Sequence, residues 1–146
     1  MSEFRRITDT FYASPQIDPA QVAEAKAQGF TLIVNNRPDG EEAGQPEGAG
    51  IESAAREAGL DYIAIPVSSA GFSQPQVEAL RDALGKAEGK VLGFCRSGTR
   101  STFLWSLAQA ADGAEPDPVA AAARGGGYDV SPIRPAMDAL YANARG

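Results

Sequence analysis

An α/β fold, with a mainly parallel sheet flanked by helices, is what this 146-residue sequence predicts, and three observations carry the prediction. Short apolar or β-branched runs alternate with segments of helical character, the order of elements that gives parallel strands joined by helices. The runs at residues 30–35 and 91–94 are apolar almost throughout, as suits strands covered on both faces. N-capping residues and glycines punctuate the chain where one character gives way to the other.

The elements follow in order. Phe11-Tyr12-Ala13 and Gln16-Ile17 read as an early strand or extended pair. Asp18 is an N-cap and Pro19 takes the first helical position, starting a helix that holds Val22, Ala23 and Lys26 and stops at Gly29. Residues 30–35 form a central strand, residues 36–50 are polar, and a helix spans 51–58 before Gly59. Tyr62 to Ile65 is a strand closed by Pro66. Ser73 caps a helix running through Val77, Leu80 and Leu84 to Ala87, and Gly89-Lys90 turns into the strand at 91–94. A helix over 101–111 carries Phe103, Leu104, Trp105 and Leu107. In the alanine-rich last third, residues 115–118 open a short helix, Gly125-Gly126-Gly127 breaks it, and a final helix covers 135–144. No internal repeat or second unit is visible, so residues 1–146 are expected to form one domain.

Composition narrows the function. The chain has no histidine, which excludes Ser-His-Asp and Cys-His arrangements and histidine-bound zinc. A single cysteine excludes an in-chain disulfide, a CxxC pair and a cysteine-cluster metal site, so neither a metal nor a cofactor is expected. A net charge of −6 disfavours nucleic acid and anionic membranes as partners. No apolar run approaches the roughly 20 residues of a membrane span, and the residues from Met1 to Arg6 lack a signal-peptide core, so the expected location is the cytoplasm.

The chemistry concentrates in Cys95-Arg96-Ser97-Gly98-Thr99-Arg100-Ser101, where the only cysteine stands between a buried strand and a helix N-terminus. Such a junction presents several backbone N–H groups and the positive end of the helix dipole, a setting that favours a thiolate and binds anions. Arg100 offers a planar fork of donors for an oxyanion, and Gly98 lets the backbone turn tightly. Ser97, Gly98 and Thr99 supply the loop amides. Ser101 either caps the helix or donates to the sulfur, and Arg96 either adds a second positive charge or faces solvent. The bland reading is a small buried hydrophobe beside a surface arginine; the ordered strand–Cys–loop–Arg–helix string argues against it.

A second loop, Asn35-Asn36-Arg37-Pro38-Asp39-Gly40-Glu41-Glu42, also follows a strand and so overhangs the same sheet edge. Asp39 is its candidate proton donor and Arg37 a candidate second anion contact. An ordinary Pro-Asp-Gly turn with solvated glutamates is the competing reading. Tyr128-Asp129, after the glycine run, is read as the restart of the fold rather than as part of the site.

Taken together, Ser14-Pro15-Gln16, the 35–41 loop, Ile65-Pro66-Val67, residues 95–101 and Gly127-Tyr128-Asp129 resemble the bacterial family described as beta-lactamase hydrolase-like protein, phosphatase-like domain, over residues 5–130. The resemblance implies a fold similar to dual-specificity and tyrosine phosphatases. Members are also labelled sulfur transferases, and some relatives are fused to a metallo-β-lactamase-like domain resembling persulfide dioxygenases, which implies a persulfide-metabolising enzyme as a partner; this chain is expected to hold the phosphatase-like unit alone.

Two departures from the phosphatase pattern stand out. Four residues rather than five separate Cys95 from Arg100, a spacing similar to the rhodanese active loop, and Ser68-Ser69 occupies the place where dual-specificity phosphatases carry a general-acid aspartate. They put a sulfurtransferase first: Cys95 takes sulfur from thiosulfate or a persulfide and passes it on as a Cys95 persulfide. Second comes a phosphatase acting on a phosphate ester through phosphocysteine, with Arg100 binding phosphate oxygens, Ser101 assisting the leaving thiolate and Asp39 as the acid. Third is an inactive anion-binding module.

Overall fold

The computed structural model describes residues 3–146. Met1 and Ser2, part of the N-terminal stretch read above for a signal peptide, lie outside the described residues. The elements are β1 (Arg5–Arg6), β2 (Phe11–Ser14), α1 (Pro19–Ala27), β3 (Phe30–Asn35), α2 (Gly48–Glu57), β4 (Asp61–Ala64), α3 (Gln74–Lys86), β5 (Lys90–Phe94), α4 (Thr99–Ala111), α5 (Pro116–Gly125), a 3₁₀ turn (Ser131–Ile133) and α6 (Arg134–Arg145). The strands order β1-β2-β5-β3-β4, and every pairing except that of β1 with β2 is parallel, as predicted.

Local chemistry explains the element boundaries. Asp18 and Ser73 both close capping boxes, each accepting from the backbone N–H three residues on while Gln21 or Gln76 returns a bond to the cap residue. The differences from expectation have equally local causes. Gln16 and Ile17 lie beyond the end of β2, because Gln16 N–H turns to the Arg96 carbonyl. Helix α2 begins three residues before the predicted start, since Asp39 Oδ1 accepts from Gly48 N–H at 2.8 Å and so caps it from nine residues upstream. Strand β1 was not predicted. It has two residues, both exposed, and carries no hydrophobic pattern to read.

Side-chain alternation along the central strands sorts the core into two layers. Leu32, Val34 and Val91 join the cluster under α3, α4, α5 and α6, while Ile33, Leu92 and Phe94 join the cluster under α1 and α2. Helix α4 is enclosed by α3, α5 and α6, which is why buried residues occur all round it. Gly93 lets α4 approach the sheet, since a Cβ there would lie 3.0 Å from Phe11 Cζ and 3.3 Å from Ser101 Cβ. Phe11 in turn stacks on Trp105 with ring centroids 5.5 Å apart. Each large apolar chain sealed in these layers, such as Leu104 or Met137, contributes roughly 1.5–3 kcal/mol relative to exposure. No described helix is long and apolar enough to cross a membrane.

The strand register builds the functional edge. Ser14 pairs with Phe94, Phe94 with Asn35, and Asn35 with Ala64, so all four parallel strands end level. Four loops therefore leave the sheet side by side at its carboxyl edge, where open α/β sheets bind ligands.

Candidate active site

Hydrogen bonds continue past the strand ends and tie these loops together. Cys95 N–H donates to Ser14 O, Asn36 N–H to Phe94 O, Ile65 N–H to Asn35 O and Val67 N–H to Asn36 O. The buried Asn36 side chain donates to Ile65 O at 2.9 Å and accepts from Ser101 Oγ at 2.7 Å. Ser101 thus neither caps α4 nor bonds the sulfur. It is fully buried and fastens α4 to the end of β3.

Cys95 is 1% exposed, and its Sγ accepts from Gly98 N–H at 3.1 Å. Gly98 is the N-cap of α4 with φ +93°, a left-handed conformation that favours glycine, and a Cβ there would overlap the Tyr128 hydroxyl. No side chain caps this helix in the usual way. Ser97 Oγ bonds Thr99 Oγ1 at 2.9 Å and lies at the long limit of hydrogen bonding from Thr99 N–H. Among the described residues, no acceptor pairs with the N–H groups of Arg96, Ser97, Arg100 or Ser101. Unpaired amides in a short turn leading into a helix N-terminus constitute a nest for an anion.

Arg100 stands beside this loop, and a count of its five donors shows what remains for a ligand. Nη1 donates to Glu41 Oε2 and to Val67 O, each at 2.6 Å, and Nη2 donates to Glu41 Oε1 at 2.9 Å. Among the described residues no further oxygen accepts from the Nε–H and the second Nη2 hydrogen, which form the side-on fork of the guanidinium, and the remaining partner of the group is the Cys95 sulfur. Glu41 therefore grips the far end of Arg100 and leaves the fork that suits an oxyanion. The bond to Glu41 is the main cause of a raised Arg100 pKa, and the nearby Cys95 sulfur adds to it.

Arg37 proves to be a buttress. Its side chain is 3% exposed and donates to Glu41 Oε1, Gln16 Oε1 and Glu42 Oε1, which leaves it holding the loop together rather than facing an anion. Arg96 is exposed and pairs with Glu42 Oε2 at 3.3 Å. Asp39, the candidate acid, is engaged with Gly48 N–H and lines a cavity with Tyr62, Glu52 and Pro66 that includes no residue of the 95–100 loop. The carboxylates that the 35–42 loop brings to the cysteine loop are those of Glu41, on Arg100, and Glu42, on Arg96. The sequence gives Glu41 and Glu42 no named role, solvated glutamates being the competing reading, because their partners in the cysteine loop lie 59 and 54 residues away; the one local signal is the i,i+4 spacing of Arg37 and Glu41. Tyr128, read from the sequence as a restart of the fold in preference to a neighbour of the site, is such a neighbour: its hydroxyl donates to Ser97 O at 3.0 Å.

Glu41 is held at a pKa of about 2, first by its hydrogen bond to Arg100 and then by that to Arg37, against burial, which opposes ionisation. A depressed carboxylate pKa stabilises the fold above the unfolded value, near 4.5, and that stabilisation is lost as pH falls through about 2. Urea unfolding of wild type and Glu41→Gln is therefore expected to show a constant stability gap at and above pH 5 that closes between about pH 4.5 and 2. A gap independent of pH across that window would remove the ionised pair as its cause.

Comparison with known proteins places this geometry. The profile of the family described as beta-lactamase hydrolase-like protein, phosphatase-like domain, matches residues 3–112. The chain belongs to that family. Its Agrobacterium fabrum relative, named beta-lactamase hydrolase-like protein, is 41% identical over 108 residues, which is 74% of this chain. The match covers 25% of that relative, so the chain spans about a quarter of the length of the curated proteins it resembles. Among solved structures, a Neisseria meningitidis protein described as a "putative phosphatase" superposes with TM-score 0.83 at 31% identity, covering 96% of this chain and 99% of that one. Pseudomonas aeruginosa TpbA, solved in complex with pTyr, shares the fold at TM-score 0.66 and 16% identity, covering 99% of this chain and 91% of that one. The phosphatase-like fold expected from the resemblance is thus observed. The family description and the Neisseria relative back the phosphatase reading placed second above better than the sulfurtransferase placed first, and neither supports sulfur transfer or a persulfide-metabolising partner.

Proposed function

We propose that this family member is a cysteine-dependent phosphomonoester hydrolase acting on aryl phosphates. Cys95 Sγ attacks phosphorus, the bond to the aryl oxygen breaks, and the aryloxide departs; water then attacks the phosphocysteine, releasing inorganic phosphate and restoring the thiolate. The unpaired loop amides and the side-on fork of Arg100 take the equatorial oxygens, where negative charge is spread during transfer. The carrying observation is the juxtaposition of Cys95, its loop amides and a guanidinium whose far end is already gripped by Glu41.

The preference for aryl esters follows from the acids at the site. The loop after β4 carries Ser68 and Ser69, Asp39 is bound to the start of α2, and Glu41 at about 2 stays ionised at neutral pH. None of these groups is placed to protonate a leaving oxygen, so esters whose alcohol leaves as a stable anion react best. TpbA, which shares the fold, binds pTyr, an aryl phosphate.

Sulfur transfer remains the second reading because four residues separate Cys95 from Arg100, making a small cradle. Intact mass after a rapid acid quench separates the two. With p-nitrophenyl phosphate the wild-type chain is expected to gain about 80 Da as phosphocysteine, and with thiosulfate nothing. A gain of about 32 Da from thiosulfate with none from the aryl phosphate would reverse the assignment.

A further inference from the structure

The segment that follows the family match returns one side chain to the cysteine loop. Tyr128 lies between α5 and the 3₁₀ turn and is 6% exposed. Its hydroxyl donates to the Ser97 carbonyl at 3.0 Å and fills the space where a Gly98 side chain would stand. From the other side the Arg5 guanidinium of β1 sits over its ring, 5.4 Å from the centroid. Burial is the largest cause of a raised Tyr128 pKa, so the phenol keeps its proton and remains a donor at neutral pH.

The Ser97 carbonyl and the Gly98 N–H belong to one peptide unit. In a trans peptide these two groups point in opposite directions, and no cis peptide is present among the described residues. Whatever holds the carbonyl on the Tyr128 side therefore holds the N–H on the Cys95 side, where it meets Sγ at 3.1 Å. Glycine at position 98 makes this restraint necessary, since a residue without Cβ passes readily between positive and negative φ. A peptide turned over would present its carbonyl oxygen to the sulfur and to any bound anion.

We propose that Tyr128 is a positioning residue that, by donating to the Ser97 carbonyl, keeps the Ser97–Gly98 amide turned into the cradle toward Cys95 and the bound oxyanion. The proposal rests on reading the loop as an oxyanion cradle and not on which oxyanion reacts there. It assigns the C-terminal segment a part in the site: the stretch between α5 and the 3₁₀ turn braces the loop through Tyr128.

Tyr128→Phe keeps the ring and removes only the donor. Calorimetric titration with inorganic phosphate is expected to show about tenfold weaker binding than in wild type, the size of one lost hydrogen bond at an anion site. Alkylation of Cys95 by iodoacetamide at fixed pH should slow several-fold, while the melting temperature moves by only about 2–4 °C. A brace that merely filled space would leave phosphate affinity and alkylation unchanged, and that result overturns the proposal. If wild type itself fails to bind phosphate, the cradle reading falls and this proposal falls with it. Equal binding by wild type and variant removes Tyr128 alone. Should the phenylalanine variant not fold, 3,5-difluorotyrosine at position 128 keeps the hydrogen bond but ionises at lower pH. Phosphate affinity must then decline with rising pH more steeply than in wild type, and an identical pH profile overturns the proposal.

Discussion

Cys95→Ser is expected to reduce p-nitrophenyl phosphate hydrolysis to the uncatalysed background, a fall of about 10⁴-fold or more, while inorganic phosphate still binds. The separation of the two effects is the point of the variant. Phosphate meets the loop amides and the fork of Arg100, and exchanging sulfur for oxygen removes none of these donors, although Gly98 N–H and the Arg100 guanidinium both interact with the sulfur. What is lost is the nucleophile, because a serine hydroxyl has no base beside it: the chain has no histidine, and Glu41 is engaged with two arginines. Serine also fits, since the buried site already accommodates a small side chain receiving the Gly98 N–H. Retention of more than about a tenth of wild-type kcat would remove Cys95 from the bond-making step.

Arg100→Lys is expected to lower kcat/KM for the same substrate by about 10²–10³-fold, although the charge is conserved. A guanidinium can bind Glu41 end-on with one pair of hydrogens, reach Val67 O with another, and still offer its Nε–H and Nη2–H side-on. An ammonium has three donors radiating from one atom and cannot serve carboxylate, carbonyl and oxyanion in that planar arrangement. In the lysine variant Glu41 competes with the substrate for the same point charge. Most of the loss should therefore appear as weaker transition-state binding, with KM rising less than kcat falls. Steady-state kinetics on the two proteins decide it, and a loss below about threefold would mean that Arg100 serves structure rather than substrate.

The residues best read from sequence were those whose roles depend on near neighbours along the chain. Asp18 and Ser73 are legible as N-caps from residue type and place in the chain, and the structure adds that each closes a capping box with the glutamine three residues on. Strands β3 and β5 carry enough continuous apolar character to be recognised as buried, and the cysteine loop lies at the carboxyl end of β5, between strand and helix, as expected. The roles that could not be read involve partners far apart. Arg37 looks like an anion contact until Gln16, Glu41 and Glu42 are found around it. Asp39 looks like an acid until Gly48 N–H is found on its carboxylate. Ser101 looks like a sulfur donor until Asn36, 65 residues away, accepts its hydroxyl.

By itself the sequence determined the class of fold, the place of the cysteine at a strand-to-helix junction and the residues able to do chemistry there. Each of these depends on periodicity, capping or inventory, which act over a few residues or over composition as a whole. Only the tertiary structure decided which donors remain free. Level strand ends bring four loops to one edge, Glu41 occupies one side of Arg100, and Tyr128 comes to rest on the Ser97 carbonyl. A polar side chain's role is set by the partners that desolvation forces it to find, and those partners are chosen by the packing of distant segments.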